Sequence, residues 1–183
     1  MQAADLLERI RNGAMPGGAL ECKGTWVRQE GEMRLGPDRP WLPFTAEQWF
    51  PGNGIDFHWT DKGEAMRGLA ELPWRPFAFR ERLGLAWKTT GTNKVRAAFD
   101  DGKTQAAVEF EVDDDGHVLG GFAPDRPRGT GKSVIETAWS GVFTNYRMFD
   151  GVRVPSTAEA SWNLDEGPFT YWRGRVTEFR VIR

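Results

Sequence analysis

The chain has 183 residues, of which 39% are hydrophobic and 27% charged, and a formal net charge of −2. That size and apolar content suit one domain with its own core, and scattered basic residues at near-neutral charge leave no electrostatic footprint for nucleic acid or anionic lipid. A lone cysteine, Cys22, excludes an intrachain disulfide, and no segment approaches the roughly 20 apolar residues of a membrane-spanning helix.

In chain order, acids and arginines interrupt residues 1–18 where a signal peptide needs an apolar run, so the chain reads as cytoplasmic. Ala3, Leu6, Leu7 and Ile10 share a helical stripe that Asn12-Gly13 ends, which predicts a helix over 3–12. From residue 19 the period becomes two, and LECKGTWVRQ, a Glu30-Gly31 turn and EMRLG read as a hairpin. Residues 41–50 and 55–59 are further strands, which Pro43 and Pro51 confine to edges or ends. A second helix is expected over 62–71, with Ala65, Met66, Leu69 and Ala70 on one side and Pro73 as its stop. A short helix started by Pro76 and ended by Gly84 completes a helical segment over 62–83.

Beyond residue 84 the alternation is that of an antiparallel meander, punctuated by turns at Asp101-Gly102, 113–116, Asp150-Gly151 and 165–168. Turn signals every eight to twelve residues with no helix between them exclude a parallel α/β sheet. The expected fold is α+β: a strongly curved antiparallel half-barrel of about 8–10 strands with two or three short helices packed against it.

No complete catalytic or metal signature is present. GTGKS (129–133) lacks the earlier glycine of a phosphate loop, where Arg126 stands, and leads into a strand-like run rather than a helix. The register of 113–116 that would start a calcium loop places Phe122 where a bidentate glutamate belongs. His58 and His117 have no second histidine or cysteine at ligand spacing, and no metal or cofactor is expected.

Two polar clusters border aromatic phrases. Arg67 stands four residues before Glu71, directly ahead of Pro73-Trp74; the pair is either an ordinary surface ion pair or one held against an aromatic cavity wall. Asp125, Arg126 and Arg128 follow an apolar strand; they are either solvated loop residues or a bidentate clamp for a carboxylate or phosphate.

The phrases WLPFTAEQWF, FHW, RGLAELPWRPFAF, FAPDRPR and AWSGVFTNYRMFDGVRVPSTAEASW, with the terminal YWRG, resemble an uncharacterised bacterial domain family of unknown function, in order over roughly residues 30–175. Its characteristic positions correspond to Trp41, Phe44, Ala46, Gln48, Trp59, Arg67, Leu69, Glu71, Trp74, Pro76, Asp125, Arg126, Arg128, Trp139, Gly141, Tyr146, Pro155, Glu159 and Trp162. Larger members carry a longer segment after the FHW phrase and often an export or membrane leader. The pattern is also similar to the lipoprotein-carrier architecture, which implies a curved sheet sheltering acyl chains.

Of the nine tryptophans, Trp87, Trp139 and Trp162 fall at core strand spacing, whereas Trp41, Trp59 and Trp74, with Trp49 and Trp172, adjoin the polar phrases. The leading functional reading is a non-enzymatic module that holds an apolar or amphiphilic ligand in an aromatic concavity. Trp41, Gln48, Trp59, Arg67, Glu71, Trp74, Asp125, Arg126, Arg128 and Tyr146 are the candidate ligand residues, with Arg67 or Arg126 meeting an acidic headgroup. Two alternatives stand beside it: an enzyme using Glu71 or Asp125 as acid or base, and a homo-oligomerisation domain whose aromatics form an interface.

Overall fold

The computed structural model describes residues 2–18, 22–51, 61–80, 84–130 and 133–183. Helix α1 (Ala3–Ala14) is followed by strands β1 (Gly24–Met33) and β2 (Leu42–Pro51), then helix α2 (Lys62–Ala70) and two 3-10 turns, Leu72–Trp74 and Pro76–Ala78. The remaining strands are β3 (Ala86–Gly91), β4 (Lys94–Asp100), β5 (Gln105–Val112), β6 (Val118–Thr130), β7 (Ser133–Phe149), β8 (Val152–Leu164) and β9 (Gly167–Ile182).

The nine strands among the described residues form one open antiparallel sheet in the order β2-β1-β9-β8-β7-β6-β5-β4-β3. Every sequence neighbour from β3 to β9 is also a spatial neighbour, as short turns dictate for alternating strands. β1 departs from that rule, pairing with β9 on one side and β2 on the other. Pro43 and Pro51 lie on β2, an edge strand, where a missing backbone N–H interrupts no ladder on the open side.

The sequence places a turn at Glu30-Gly31, but β1 runs straight through it, with Gly31 opposite Phe44 on β2 and Gly174 on β9. A Cβ at Gly31 would overlap the Arg173 carbonyl and lie 2.9 Å from the Phe44 ring, so this glycine serves close approach rather than chain reversal. The expected strand at 55–59, which includes His58, lies outside the described residues, as do residues 81–83; the expected short helix from Pro76 to Gly84 is instead a single 3-10 turn, Pro76–Ala78, which Phe79 ends.

Both helices pack on one face of the sheet. α1 buries Leu6, Leu7, Ile10 and Ala14 at the stripe its 3.6-residue period requires. Its C-terminal half lies so close to the β5–β6 turn that a Cβ on Gly13 would overlap the Asp115 carbonyl, and one on Gly116 the Arg9 carbonyl. α2 starts at Asp61, whose side chain accepts the Glu64 backbone N–H at 2.8 Å, and buries Ala65, Met66, Leu69 and Ala70 against β5 and β6. Lys62 ties its first turn to the β6–β7 hairpin, 2.6 Å from both Asp125 and Glu136. No described helix is long and apolar enough to cross a membrane.

Candidate functional site

Pro73 cannot donate the backbone hydrogen bond a continuing helix needs, so α2 gives way to the 3-10 turn Leu72–Trp74. That turn drives Trp74 into the concave face, where its indole N–H donates to the Pro155 carbonyl at 2.9 Å. Phe143 from β7 and Trp172 from β9 meet its ring edge-on, with centroids 5.6 and 6.4 Å away. Trp172 in turn stacks on Phe44 from β2, at 5.7 Å. The indole of Trp172 has room there because residue 174 is glycine: a Cβ would lie 2.5 Å from the ring.

Between these rings and the C-terminal end of α2 lies a cavity of about 440 Å³, bounded by β1, β2, β6, β7, β8 and β9. That volume falls within the roughly 300–1,000 Å³ of small-molecule sites. Its walls are largely aromatic and small apolar residues, with Gln29, Thr45 and Glu159 among them and the remaining polar groups gathered at two stations.

At the first station, Glu71 Oε1 accepts from Arg67 Nε and from Gln48 Nε2, each at 3.1 Å. The Glu71 side chain is 19% exposed and that of Arg67 66%, so the pair spans the cavity rim with its acid inside and its base outside. Such an exposed arginine contributes a few tenths of a kcal/mol through the pair, about the value for i,i+4 neighbours.

At the second station, the Arg126 guanidinium lies 4.8 Å from the Trp139 ring centroid and 5.6 Å from that of Trp162. Its Nη1 donates to the Tyr171 hydroxyl at 3.3 Å, which also accepts from Trp139 Nε1 at 3.1 Å. Burial pulls its pKa below the ordinary arginine range, while the Tyr171 and Glu71 oxygens oppose that effect. Among the described residues no carboxylate lies within ion-pair distance of Arg126. With two donors already converging on the phenol oxygen, the Tyr171 O–H is left to donate elsewhere.

Two register irregularities build this station. Between Ala123 and Arg126 the β6–β7 pairing shifts by one residue, so Arg126 takes the inward phase begun by Ala123. Between Ala160 and Ser161 the β8–β9 pairing also shifts, leaving Tyr171 as the extra residue next to Trp172; both line the cavity. An unbroken strand would have sent one of them to the opposite face.

Five of the ten sequence candidates line the cavity together: Gln48, Arg67, Glu71, Trp74 and Arg126. Trp41 lies apart, beside Arg34 and Arg173 at 4.6 and 4.4 Å. Asp125 is held by Lys62 on the α2 side, and Arg128 lies 5.9 Å from the Trp162 ring without lining the cavity. Trp59 lies outside the described residues. Tyr146 faces away, donating to the Val118 carbonyl at 2.8 Å and packing on His117. Trp139, expected only as core, is a cavity wall, and Tyr171 and Gln29 line the cavity without having been singled out.

His117 accompanies Asp113 and Asp115, whose ligand atoms come within 4.8 Å of its own, but its backbone N–H and Nδ1 are both engaged by Asp113, at 2.8 and 3.1 Å. These contacts describe a closed turn. A wider groove of about 860 Å³ is lined by two ion pairs, Arg173–Glu32 and Arg175–Glu30, and shares Phe44, Thr45, Ala158 and Glu159 with the cavity.

Burial pushes the Tyr146 phenol well above the ordinary tyrosine range, with the Asp113 charge adding to it. A folded-state pKa raised above the unfolded value of about 10 gives a stability contribution intact below that pH and lost as pH climbs toward the folded value. In an alkaline titration, Tyr146 is therefore expected to ionise only as the chain unfolds, its phenolate absorbance rising with the loss of circular dichroism. Tyr146→Phe makes the alkaline fall in stability shallower; a Tyr146 phenolate signal in the folded protein would refute this.

The sequence model of a family described as "Family of unknown function (DUF6544)" matches residues 59–174. No curated protein matches the chain. Among solved structures, the chain is similar to a LolA superfamily protein from Nitrosomonas europaea, with a TM-score of 0.58 and 8% identity, covering 100% of this chain and 94% of that one. At that identity the likeness is one of fold.

Proposed function

The chain belongs to this family of unknown function, and we propose that it is a non-enzymatic binding module whose concave face holds an amphiphile with an acidic head. The observation that carries this reading is a half-buried cation in an aromatic site. Arg126 sits over two indoles with a phenol as its hydrogen-bond partner and no carboxylate in ion-pair range among the described residues. Glu71 lends Arg126 electrostatic support from a distance but is itself held by Arg67 and Gln48, so a ligand anion supplies the direct counter-charge. Trp74, Phe143 and Trp172 form the wall along which an apolar tail lies.

Arg126 is preferred over Arg67 for this role because Arg67 is largely exposed and already paired with Glu71. The acid–base alternative has no comparable support: Asp125 is bound to Lys62, and Glu71 receives two hydrogen bonds that brace it.

The reading is tested by titrating the protein with laurate and lauryl alcohol, following heat or intrinsic fluorescence. Laurate is expected to bind, and Arg126→Met to weaken it about thirtyfold, the loss that accompanies removal of about 2 kcal/mol from a buried charge pair. The alcohol is expected to lose far less. Absence of binding by either probe would overturn the proposal.

A further inference from the structure

Arg126 leaves unexplained a second polar feature of the same cavity. Gln29 on β1 is only 5% exposed, yet its Nε2 has no hydrogen-bond partner among the described residues. Gln48 on β2 has a buried Oε1 in the same condition, although its Nε2 is committed to Glu71 at 3.1 Å. That commitment fixes the orientation of the Gln48 amide, because the reverse would set its oxygen against a carboxylate oxygen. Both residues line the cavity.

The register makes them partners. Gln29 stands opposite Ala46, and Gln48 opposite Val27, so the two are diagonal neighbours on one face of a strand pair. Such neighbours are about 7–8 Å apart at the backbone, within joint reach of two long side chains. One presents a free donor and the other a free acceptor, and buried amide groups left unpaired are rare because water's hydrogen bonds have been forfeited. A group lying between them that satisfies both at once turns a carbonyl toward Gln29 and an N–H toward Gln48, as the two opposite edges of a trans amide do.

We propose that Gln29 and Gln48 recognise a secondary amide in the ligand, and that the ligand class is an N-acylated amino acid. Gln29 Nε2 donates to the acyl carbonyl, and Gln48 Oε1 accepts the amide N–H. The free carboxylate faces Arg126, which is within electrostatic reach of the Glu71 carboxylate that Gln48 holds. The acyl tail lies along Trp74 and Trp172. This inference rests on the amphiphile reading above and narrows it from an acidic amphiphile to one with an amide beside its acid.

The test compares four probes of equal tail on the full chain: laurate, N-lauroylglycine, lauroyloxyacetate and N-lauroylglycinamide. N-Lauroylglycine is expected to bind at least tenfold more tightly than laurate. It is also expected to bind at least tenfold more tightly than lauroyloxyacetate, whose ester oxygen replaces the N–H and opposes Gln48 Oε1. N-Lauroylglycinamide, which stands for an acylated peptide terminus, is expected to bind more weakly than the free acid; tighter binding would overturn the free-acid assignment. Gln29→Met is expected to abolish the preference for N-lauroylglycine over laurate. Should that variant fail to fold, the comparison of amide and ester on the unaltered protein decides alone. Equal binding of laurate, the amide and the ester would sink the amide recognition and leave the amphiphile reading standing, whereas no binding by any probe would remove both.

Discussion

Trp74→Ala lowers the free energy of unfolding by about 4 kcal/mol, within the range for deleting a buried indole. The side chain is 5% exposed and contacts Phe143 and Trp172 edge-on, so its removal opens a void that neighbouring rings cannot fill without leaving their own contacts. The Pro155 carbonyl loses its donor as well. Trp74→Phe separates these causes: it keeps most of the ring volume, gives up the hydrogen bond and costs about 1–2 kcal/mol. Urea denaturation at constant m-value measures both losses. Equal losses for alanine and phenylalanine would show that the hydrogen bond, and not the packing, dominates.

Gly13→Ala costs about 3 kcal/mol, at the upper end for overpacking. The sign is the unusual part, since replacing a helical glycine by alanine ordinarily gains about 0.5–1 kcal/mol. Here the added methyl overlaps the Asp115 carbonyl, a backbone atom that cannot rotate aside. α1 must therefore lift from the β5–β6 turn and loosen the buried contacts of Leu6, Leu7 and Ile10. Gly17→Ala is the control: nothing lies within 4 Å of its added methyl, and its effect stays within about 0.5 kcal/mol. Gly116→Ala forces the same separation from the opposite side, at a residue with φ of +86°, so the double variant loses less than the sum of the two. Stabilisation by Gly13→Ala would show that α1 does not dock as described.

Strands β4, β5 and β8 were legible because one face of each is buried, which forces polar and apolar residues to alternate, and because Asp101-Gly102 and Asp150-Gly151 have the chemistry of tight turns. α2 was legible for the same reason at a different period. Gly31 misled because the sequence does not distinguish a glycine needed for a turn from one needed beneath a carbonyl and a phenyl ring. Three of the site residues could be read from their neighbours: Arg67, Glu71 and Trp74 are placed by helix spacing and Pro73. Tyr171 could not, since an alternating pattern assigns adjacent residues to opposite faces and only the register shift in β8–β9 brings it beside Trp172. The same limit hid the division of labour within DRPR: Asp125 turns to the helix and Arg126 to the cavity after a shift in β6–β7. Gln29 gives no local signal at all, because its burial is created by β9, far away in sequence.

The placement of β1 between β2 and β9 sets the order in which the binding face can come into being. A β1–β2 hairpin forms from local contacts, but by itself it is marginal in water, and its only other partner is the last strand of the sheet. Strands β3 to β8 can meanwhile assemble by adding one neighbour at a time. The wall carrying Gln29 and Gln48 is therefore joined through the sheet to the wall carrying Arg126 only by β9, which pairs along both β8 and β1. A ligand that touches both walls would therefore hold the β1–β9–β8 joint shut and add its binding free energy to the stability of the sheet.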